Sequence, residues 1–436
     1  MKTVSENGLA FMKKKVKTEL LPTSVTSDKY PIHKWFNFVA GYSPEYVELV
    51  IDEFCKTHGK LPTAVLDPFA GCATTSVVSN DVGIASMGIE RNPFFYKIGY
   101  TKANADKTVV FLNNIVDEFK KQSLEKTSSR KDLLSDDAKK YLMKMFSEDS
   151  LCRLLDLRKL VESYKGYKYF MGYTFLSKML EFVTTAKTDG IYKVPTSTKK
   201  CISVNEAIEK TEKIFLDGYK EIVKTKTQTK YVYDSCVESV IPKNHFDLVV
   251  FSPPYLNNFD FAEMTRMQFY FWGEADSWSD ISEKHRNHML INTTTALKLA
   301  RKKEVQDAFK NKLPACLQNQ LEPIVTKLEY LFKYEKKSKD YYRIIYPYLG
   351  QMQIVLEKCF QGLKKGGEIH IVVSDAAFYG IHIDTQEYLS EILSGIGASN
   401  IKINRMRNRG DRWILDKRAK SNKQLGEFEV VAYKEN

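Results

Sequence analysis

Residues 64–75 read Ala-Val-Leu-Asp-Pro-Phe-Ala-Gly-Cys-Ala-Thr-Thr. Ala64 to Leu66 is a short apolar run of the kind that forms a buried strand. Asp67 to Ala73 is a turn of mostly small residues, and a helix is expected from about Thr74. Strand, small-residue turn and helix in that order make the first β-turn-α unit of a Rossmann-like sheet. Small side chains let backbone approach a ligand closely, and the start of the helix leaves N–H groups open. The turn is neither GxGxxG nor a P-loop. It lacks the closing Lys-Ser/Thr, which argues against a phosphate cradle. A second strand, Ala85 to Ile89, ends in Glu90, where a carboxylate is placed to accept hydrogen bonds from ribose hydroxyls.

Helical signals flank this unit. Ser43-Pro44-Glu45 has the form of a helix start, with Ser at the N-cap and Pro at the first helical position. Apolar residues from Tyr46 to Phe54 then recur at helical spacing, and the helix is expected to end near Gly59. Asn92-Pro93-Phe94 opens another helix, to about Ala105. From Lys107 to Thr229 polar residues dominate over helically spaced apolar ones, which reads as a mostly helical insertion. Within it Lys187-Thr188-Asp189-Gly190 reads as a loop, and Thr196 to Lys200 as either a phosphate contact or a solvated loop.

Sheet-like sequence resumes at Tyr231-Val232-Tyr233, ending in Asp234. Phe246 to Phe251 (FDLVVF) is a buried strand, and Ser252-Pro253-Pro254-Tyr255 follows it. Two prolines fix φ and remove two N–H donors, so nearby carbonyls stay free to accept hydrogen bonds beside a tyrosine face. Such a corner suits a flat ring that carries an amino group; taken alone it reads equally as a Pro-Pro turn leaving a strand. Asn257 to Trp272 reads as a loop and a buried helix, and residues 291–345 as a second, basic helical insertion whose run Lys333 to Lys339 is a solvated face or a phosphate contact. A helix from Tyr346 to Leu363, a break at Lys364 to Gly367, a strand from Glu368 to Val373 and a helix through Tyr388 to Leu393 come next. Ile401 to Met406 and Phe428 to Tyr433 read as a closing pair of strands, and Arg405 to Lys423 between them is the most basic stretch of the chain.

The chain has 436 residues and a net charge of +12. A basic excess points to a polyanionic partner. No apolar run approaches the roughly 20 residues of a membrane span. The lysine-rich beginning of the chain has no apolar core before a cleavage-like site, so no signal peptide is expected. Seven scattered cysteines without ligand spacing fit a cytoplasmic protein without a structural zinc site, and no metal is expected.

Taken in order, Phe38 to Pro44, the DPFAG turn, Glu90, Asp234, SPPY, Leu363 to Gly367 and the closing strand pair resemble the S-adenosylmethionine-dependent DNA methyltransferases that modify exocyclic amino groups of cytosine or adenine. The resemblance covers residues 30–105 and 230–436, outside the two insertions. It implies an α/β fold, a Rossmann-like class I methyltransferase sheet with a terminal β-hairpin and two mostly helical insertions. The implied layout is a lead-in (1–29), a cofactor-binding half (30–106), a helical insertion that is the candidate target-recognition region (107–229), the catalytic motif region (230–290), a basic helical insertion (291–345) and the C-terminal half (346–436). By the same resemblance S-adenosylmethionine is the cofactor. Asp67, Pro68, Phe69, Ala70 and Gly71 contact its methionine part with the region of Ser43, Glu90 holds the ribose and Asp234 the adenine. Ser252 and the Pro253 carbonyl accept hydrogens of the target amine, Pro254 stiffens the corner, and Tyr255 stacks on the flipped base. Arg405, Arg407, Arg409 and Arg412 in the basic stretch are the candidate DNA contacts.

Amino-group methylation needs no enzyme nucleophile, and the chain has no Pro-Cys pair of the kind that C5-cytosine methylation uses. Serine in SPPY favours N4 of cytosine over N6 of adenine. Double-stranded DNA and a cognate restriction endonuclease are the implied partners, and no membrane is involved. One departure stands out, Ala73 where the family carries glycine. The competing readings are an RNA amino-methyltransferase and a non-catalytic DNA-binding protein on the same fold.

Overall fold

The protein is described from a computed structural model covering residues 17–125, 131–220, 222, 227–257, 259–291, 300–409 and 424–435. Its strands among those residues are β1 (Ala64–Asp67), β2 (Ala85–Glu90), β3 (Ala186–Asp189), β4 (Tyr192–Thr198), β5 (Thr229–Tyr233), β6 (Phe246–Phe251), β7 (Leu363–Ser374), β8 (Ala376–Phe378), β9 (Ile381–Ile383), β10 (Ser399–Asn408) and β11 (Gly426–Tyr433). Seven of them form the central sheet in the order β10-β11-β7-β6-β1-β2-β5. Strands β5, β2, β1, β6 and β7 are parallel, and β11 inserts antiparallel between β7 and β10. From β1 the chain goes to β2 on one side, and β6 lies on the other. The crevice where strand order reverses therefore opens at the carboxyl ends of β1 and β6, the usual ligand position in such sheets.

Strand β6 is buried along its whole length, as expected of an interior parallel strand covered on both faces. Its residues alternate between two cores. Leu248 and Val250 join Val65 and Val372 under the helix Pro44–His58, while Val249 and Phe251 join Leu66, Ile369 and Ile371 against the helices Ile345–Gly362 and Thr385–Gly395. The period-2 alternation of a strand is what feeds two layers from one run of apolar residues.

Local signals place the elements. Ser43 caps the helix Pro44–His58 by accepting from the Tyr46 N–H, and Gly59 ends it at φ 66°. Asn92 caps Pro93–Ala103 through the N–H groups of Phe94 and Phe95. The described residues between Ala105 and Tyr219 are mostly helical and build an apolar core with Pro93–Ala103 and Arg266–Trp272.

Two expectations are corrected. Lys187 to Asp189 is not a loop but lies in β3, paired with β4, and Gly190 supplies the left-handed turn at φ 60°. Lys364 to Gly367 does not separate helix from strand: β7 already begins at Leu363, opposite Phe246, with an irregular register before Glu368.

Candidate functional site

A cavity of about 320 Å³ opens at the carboxyl edge of the sheet. The ends of β1, β2, β5 and β6 bring Asp67, Glu90, Asp234 and the Ser252–Tyr255 corner to its wall. Because β11 runs antiparallel to β7, its first residues also lie on this edge: Glu427 pairs with Ser374, the last residue of β7. Arg407 and Arg409, at the end of β10, line the same wall.

The turn after β1 is built by hydrogen bonds that converge on two carboxylates. Asp67 accepts from the Tyr42 hydroxyl at 2.8 Å, the Thr75 hydroxyl at 2.7 Å and the Phe69 N–H at 3.0 Å. Burial pushes its carboxyl up to about 6, and those three donors hold it from rising further. Glu90 accepts from the Gly71 N–H at 2.8 Å and the Asn92 N–H at 2.6 Å, and burial pushes it up to about 7. The Tyr231 hydroxyl donates to the Gly71 carbonyl at 2.7 Å and props the turn from below. A Cβ on Gly88 would come within 2.6 Å of the Tyr231 ring, so glycine is required there to admit the prop. Gly71 and Ala73 both adopt left-handed backbone, at φ 52° and 68°.

Asp234 accepts from its neighbour Ser235 N–H at 2.8 Å and from the Ser239 hydroxyl at 2.6 Å. At the other end of the cavity the Tyr255 hydroxyl donates to Glu427 Oε1 at 3.3 Å. Burial and the Glu427 charge raise the Tyr255 pKa, so the phenol is neutral. Glu427 is ion-paired with Arg407, and the Arg409 guanidinium donates to Ser374 Oγ at 3.0 Å and sits 5.9 Å from the Tyr255 ring centre.

The cavity thus collects Asp67, Pro68, Phe69, Ala70, Gly71, Glu90, Asp234, Ser252, Pro253, Pro254 and Tyr255 from four strand ends. Ser43 is not part of its lining. It is fully buried, and its hydroxyl serves as the helix cap. Arg405 is exposed on β10, bonded to Asn408 Oδ1 and the Gln424 carbonyl, and Arg412 lies outside the described residues. Arg407 and Arg409 face the cavity rather than an open loop. Sequence reasoning missed Tyr42, Thr75, Tyr231 and Glu427. Tyr42 lies inside the Phe38–Pro44 segment quoted for its motif, whereas nothing local distinguishes Glu427 from any strand-start acid.

The strand order and the position of the cavity define a Rossmann-like methyltransferase fold. No family model matches the chain. It is 22% identical over 445 residues to the type II methyltransferase M.BsoBI of Geobacillus stearothermophilus, an alignment that covers 93% of this chain and 84% of that protein. It is 24% identical over 415 residues to the type II methyltransferase M.AvaI of Nostoc sp. (strain PCC 7120), covering 86% of this chain and 80% of that one, and matches the M.AvaI of Anabaena variabilis equally. The resemblance to DNA methyltransferases read from the motifs is borne out, and the similarity runs through the insertions that the motifs did not cover. Among the described residues no helix is long and apolar enough to cross a membrane.

Proposed function

We propose that the protein transfers a methyl group from S-adenosylmethionine to the exocyclic amino group of a base flipped out of double-stranded DNA, with N4 of cytosine favoured over N6 of adenine. The observation that carries this reading is a single cavity holding both the acids at the ends of β1, β2 and β5 and the Ser-Pro-Pro-Tyr corner at the end of β6.

The residues present fit that cofactor. Glu90 is buried and positioned by two backbone N–H groups, with acceptor capacity left for ribose hydroxyls. Asp234 is the acceptor for an adenine amine, and the turn Pro68–Gly71 offers backbone at close range. When bound, the cofactor supplies an electrophilic methyl group.

The work of this chain is positioning and electrostatics. The lone pair of an exocyclic amine is delocalised into its ring. Ser252 and the Pro253 carbonyl accept the amine hydrogens, which favours a pyramidal nitrogen and localises the pair. Tyr255 supplies the plate on which the base lies. Flipping costs a few kcal/mol, recovered in such contacts. The relatives are named as type II methyltransferases, which supports a place in a restriction–modification system with a cognate endonuclease.

Incubation with labelled cofactor and DNA of varied sequence is expected to place label on one base, and base-resolution mapping in expressing cells to identify the site. Absence of transfer to any DNA by cofactor-bound protein would sink the reading. Tyr255→Ala is expected to cut turnover at least 100-fold with cofactor affinity within about twofold of wild type, whereas Asp67→Ala is expected to weaken cofactor binding, measured by calorimetry, by 10-fold or more.

A further inference from the structure

Strands β3 and β4 form a two-stranded ribbon that pairs with no other strand among the described residues. A lone hairpin is marginally stable in water, so this one depends on being held at its ends. At its root Ala186 is buried in the core of the helical insertion, and the Thr185 N–H donates to the Met145 carbonyl at 2.8 Å. At its tip the Tyr192 hydroxyl accepts from the Asp260 N–H at 2.9 Å, and the Tyr192 ring meets Phe259 edge-on at 6.1 Å. The Arg286 guanidinium fixes the Asp260 carboxylate at 2.8 Å. Phe259 and Phe261, the neighbours of Asp260, line the cavity just beyond the Ser-Pro-Pro-Tyr corner. The ribbon tip therefore stands beside the cavity wall. Side chains alternate between faces along a strand, and the register pairs Lys187 with Val194 and Asp189 with Tyr192. Lys187, Asp189 and Thr196 thus share the face of Tyr192, and all three are exposed. The opposite face is engaged: Lys193 pairs with Glu181 and donates to the Thr188 hydroxyl at 3.0 Å.

We propose that the β3–β4 ribbon reads the recognition sequence from the major groove of DNA beside the flipped base, with Lys187, Asp189 and Thr196 as base contacts and Tyr192 as the tie that registers them to the catalytic corner. A base seated in the cavity brings the pairs next to it to the cavity mouth, where the ribbon tip stands. The major groove, about 12 Å wide, admits a two-stranded ribbon, and the minor groove is only about half as wide. The three side chains carry the chemistry that base edges present there. A lysine donates to guanine O6 and N7, a carboxylate accepts from the cytosine N4 amine, and a threonine offers a hydroxyl and a methyl group. Lys187 and Asp189 lie two residues apart on one strand, about 7 Å, which matches two base-pair steps of about 3.4 Å each.

This rests on the DNA methyl transfer proposed above, and the test separates the two. Single-turnover methylation by the full-length protein is measured on duplexes carrying the mapped site and on each single-pair substitution of it. Lys187→Ala and Asp189→Ala are each expected to narrow the preference for the mapped site by about 10- to 100-fold at one or two positions, and Thr196→Ala by about fivefold. Discrimination at the other positions is expected to hold, with the cofactor dissociation constant within about twofold. Duplexes with 7-deazaguanine, which lacks the major-groove N7 acceptor, at the position that Lys187→Ala relaxes are expected to slow the wild type and not that variant. An unchanged specificity profile in all three variants would overturn the proposal. So would binding weakened equally on every duplex with a shallower salt dependence, which would make the ribbon a phosphate contact. If one variant loses cofactor binding and so has not folded, the other two decide. A wild type that methylates no DNA would instead defeat the proposed function, and this reading with it.

Discussion

Ala73 is the residue at which this chain departs from a glycine pattern, and its geometry makes the departure measurable. It caps the helix Thr74–Asp81 at φ 68° and ψ 34°, fully buried beside Ala70, Ala103 and Tyr231. An L-residue in left-handed backbone crowds its Cβ against the following carbonyl, at a cost of about 1 kcal/mol. The methyl group therefore does not prevent the turn from forming; it strains it. Ala73→Gly is expected to stabilise the protein by about 0.5–1 kcal/mol, the relief of strain exceeding the added freedom of the unfolded chain. Denaturant midpoints would show this at unchanged m-value. A lower midpoint would mean that packing of the methyl against Tyr231 outweighs the strain. Cofactor affinity is expected to stay equal or rise, because the neighbouring Gly71 N–H is already held by Glu90.

At the level of elements, the antiparallel β11 is joined to β7 by charge as well as by backbone. His370 on β7 lies 3.2 Å from Glu368 and 3.1 Å from Glu429, and His58, at the end of the helix Pro44–His58, meets Glu368 at 2.8 Å. The Tyr46 hydroxyl and Asn404 also bond Glu429, and Glu53 faces the cluster. Burial alone would lower the His370 pKa, but the hydrogen bonds and charges of Glu368 and Glu429 outweigh it and raise it to about 9. Burial likewise opposes ionisation of Glu368 and Glu429, yet their bonds to His370 hold both below the usual carboxylate range. The histidine's contribution to stability is complete below its ordinary pKa of 6.5 and is lost as pH rises through about 9. The carboxylates contribute above 4.5 and lose their contribution as pH falls through their lowered values. The stability from this cluster thus peaks between about pH 4.5 and 6.5. Thermal melts are expected to fall from pH 6.5 to 9 in the wild type and to be flatter over that window in His370→Gln, which at pH 6 is destabilised by about 3–5 kcal/mol because two buried carboxylates lose their partner. Equal slopes in the two proteins would remove His370 as the source.

Over the whole molecule, what was legible in the sequence and what was not divide along a physical line. The ends of β1, β2 and β6 were readable because interior parallel strands are continuous apolar runs that stop at a polar residue, as FDLVVF stops at Ser252. The helix starts at Ser43 and Asn92 were readable because caps are local chemistry. Glu427 was not, since its place at the cavity follows from the return direction of a strand that starts at Gly426, 52 positions after β7 ends at Ser374, and from no local pattern.

The strap that precedes the first helix was equally hidden, because backbone carbonyls hold it. Lys102, 2% exposed on the helix Pro93–Ala103, donates to the His33 carbonyl at 3.2 Å and the Phe36 carbonyl at 2.6 Å. Trp35 between them stacks on Phe215 at 4.8 Å, and a Cβ on Gly218 would come within 2.3 Å of its Nε1. These two anchors fix the segment whose continuation, Phe38 to Tyr42, lines the cavity and delivers the Tyr42 hydroxyl to Asp67. This wall of the cavity therefore depends on Lys102 and, through Phe215 and Gly218, on the helical insertion. Lys102→Met removes the donor from two buried carbonyls, at about 1–3 kcal/mol for each one left unpaired. It is expected to raise the cofactor dissociation constant several-fold in calorimetry while the DNA dissociation constant stays within about twofold. Gly218→Ala, which displaces Trp35 from the other side, is expected to weaken cofactor binding in the same direction. If both variants fold and bind cofactor as the wild type does, the strap is held at the cavity by Phe38 to Tyr42 alone, and neither Lys102 nor the insertion has a part in forming this wall.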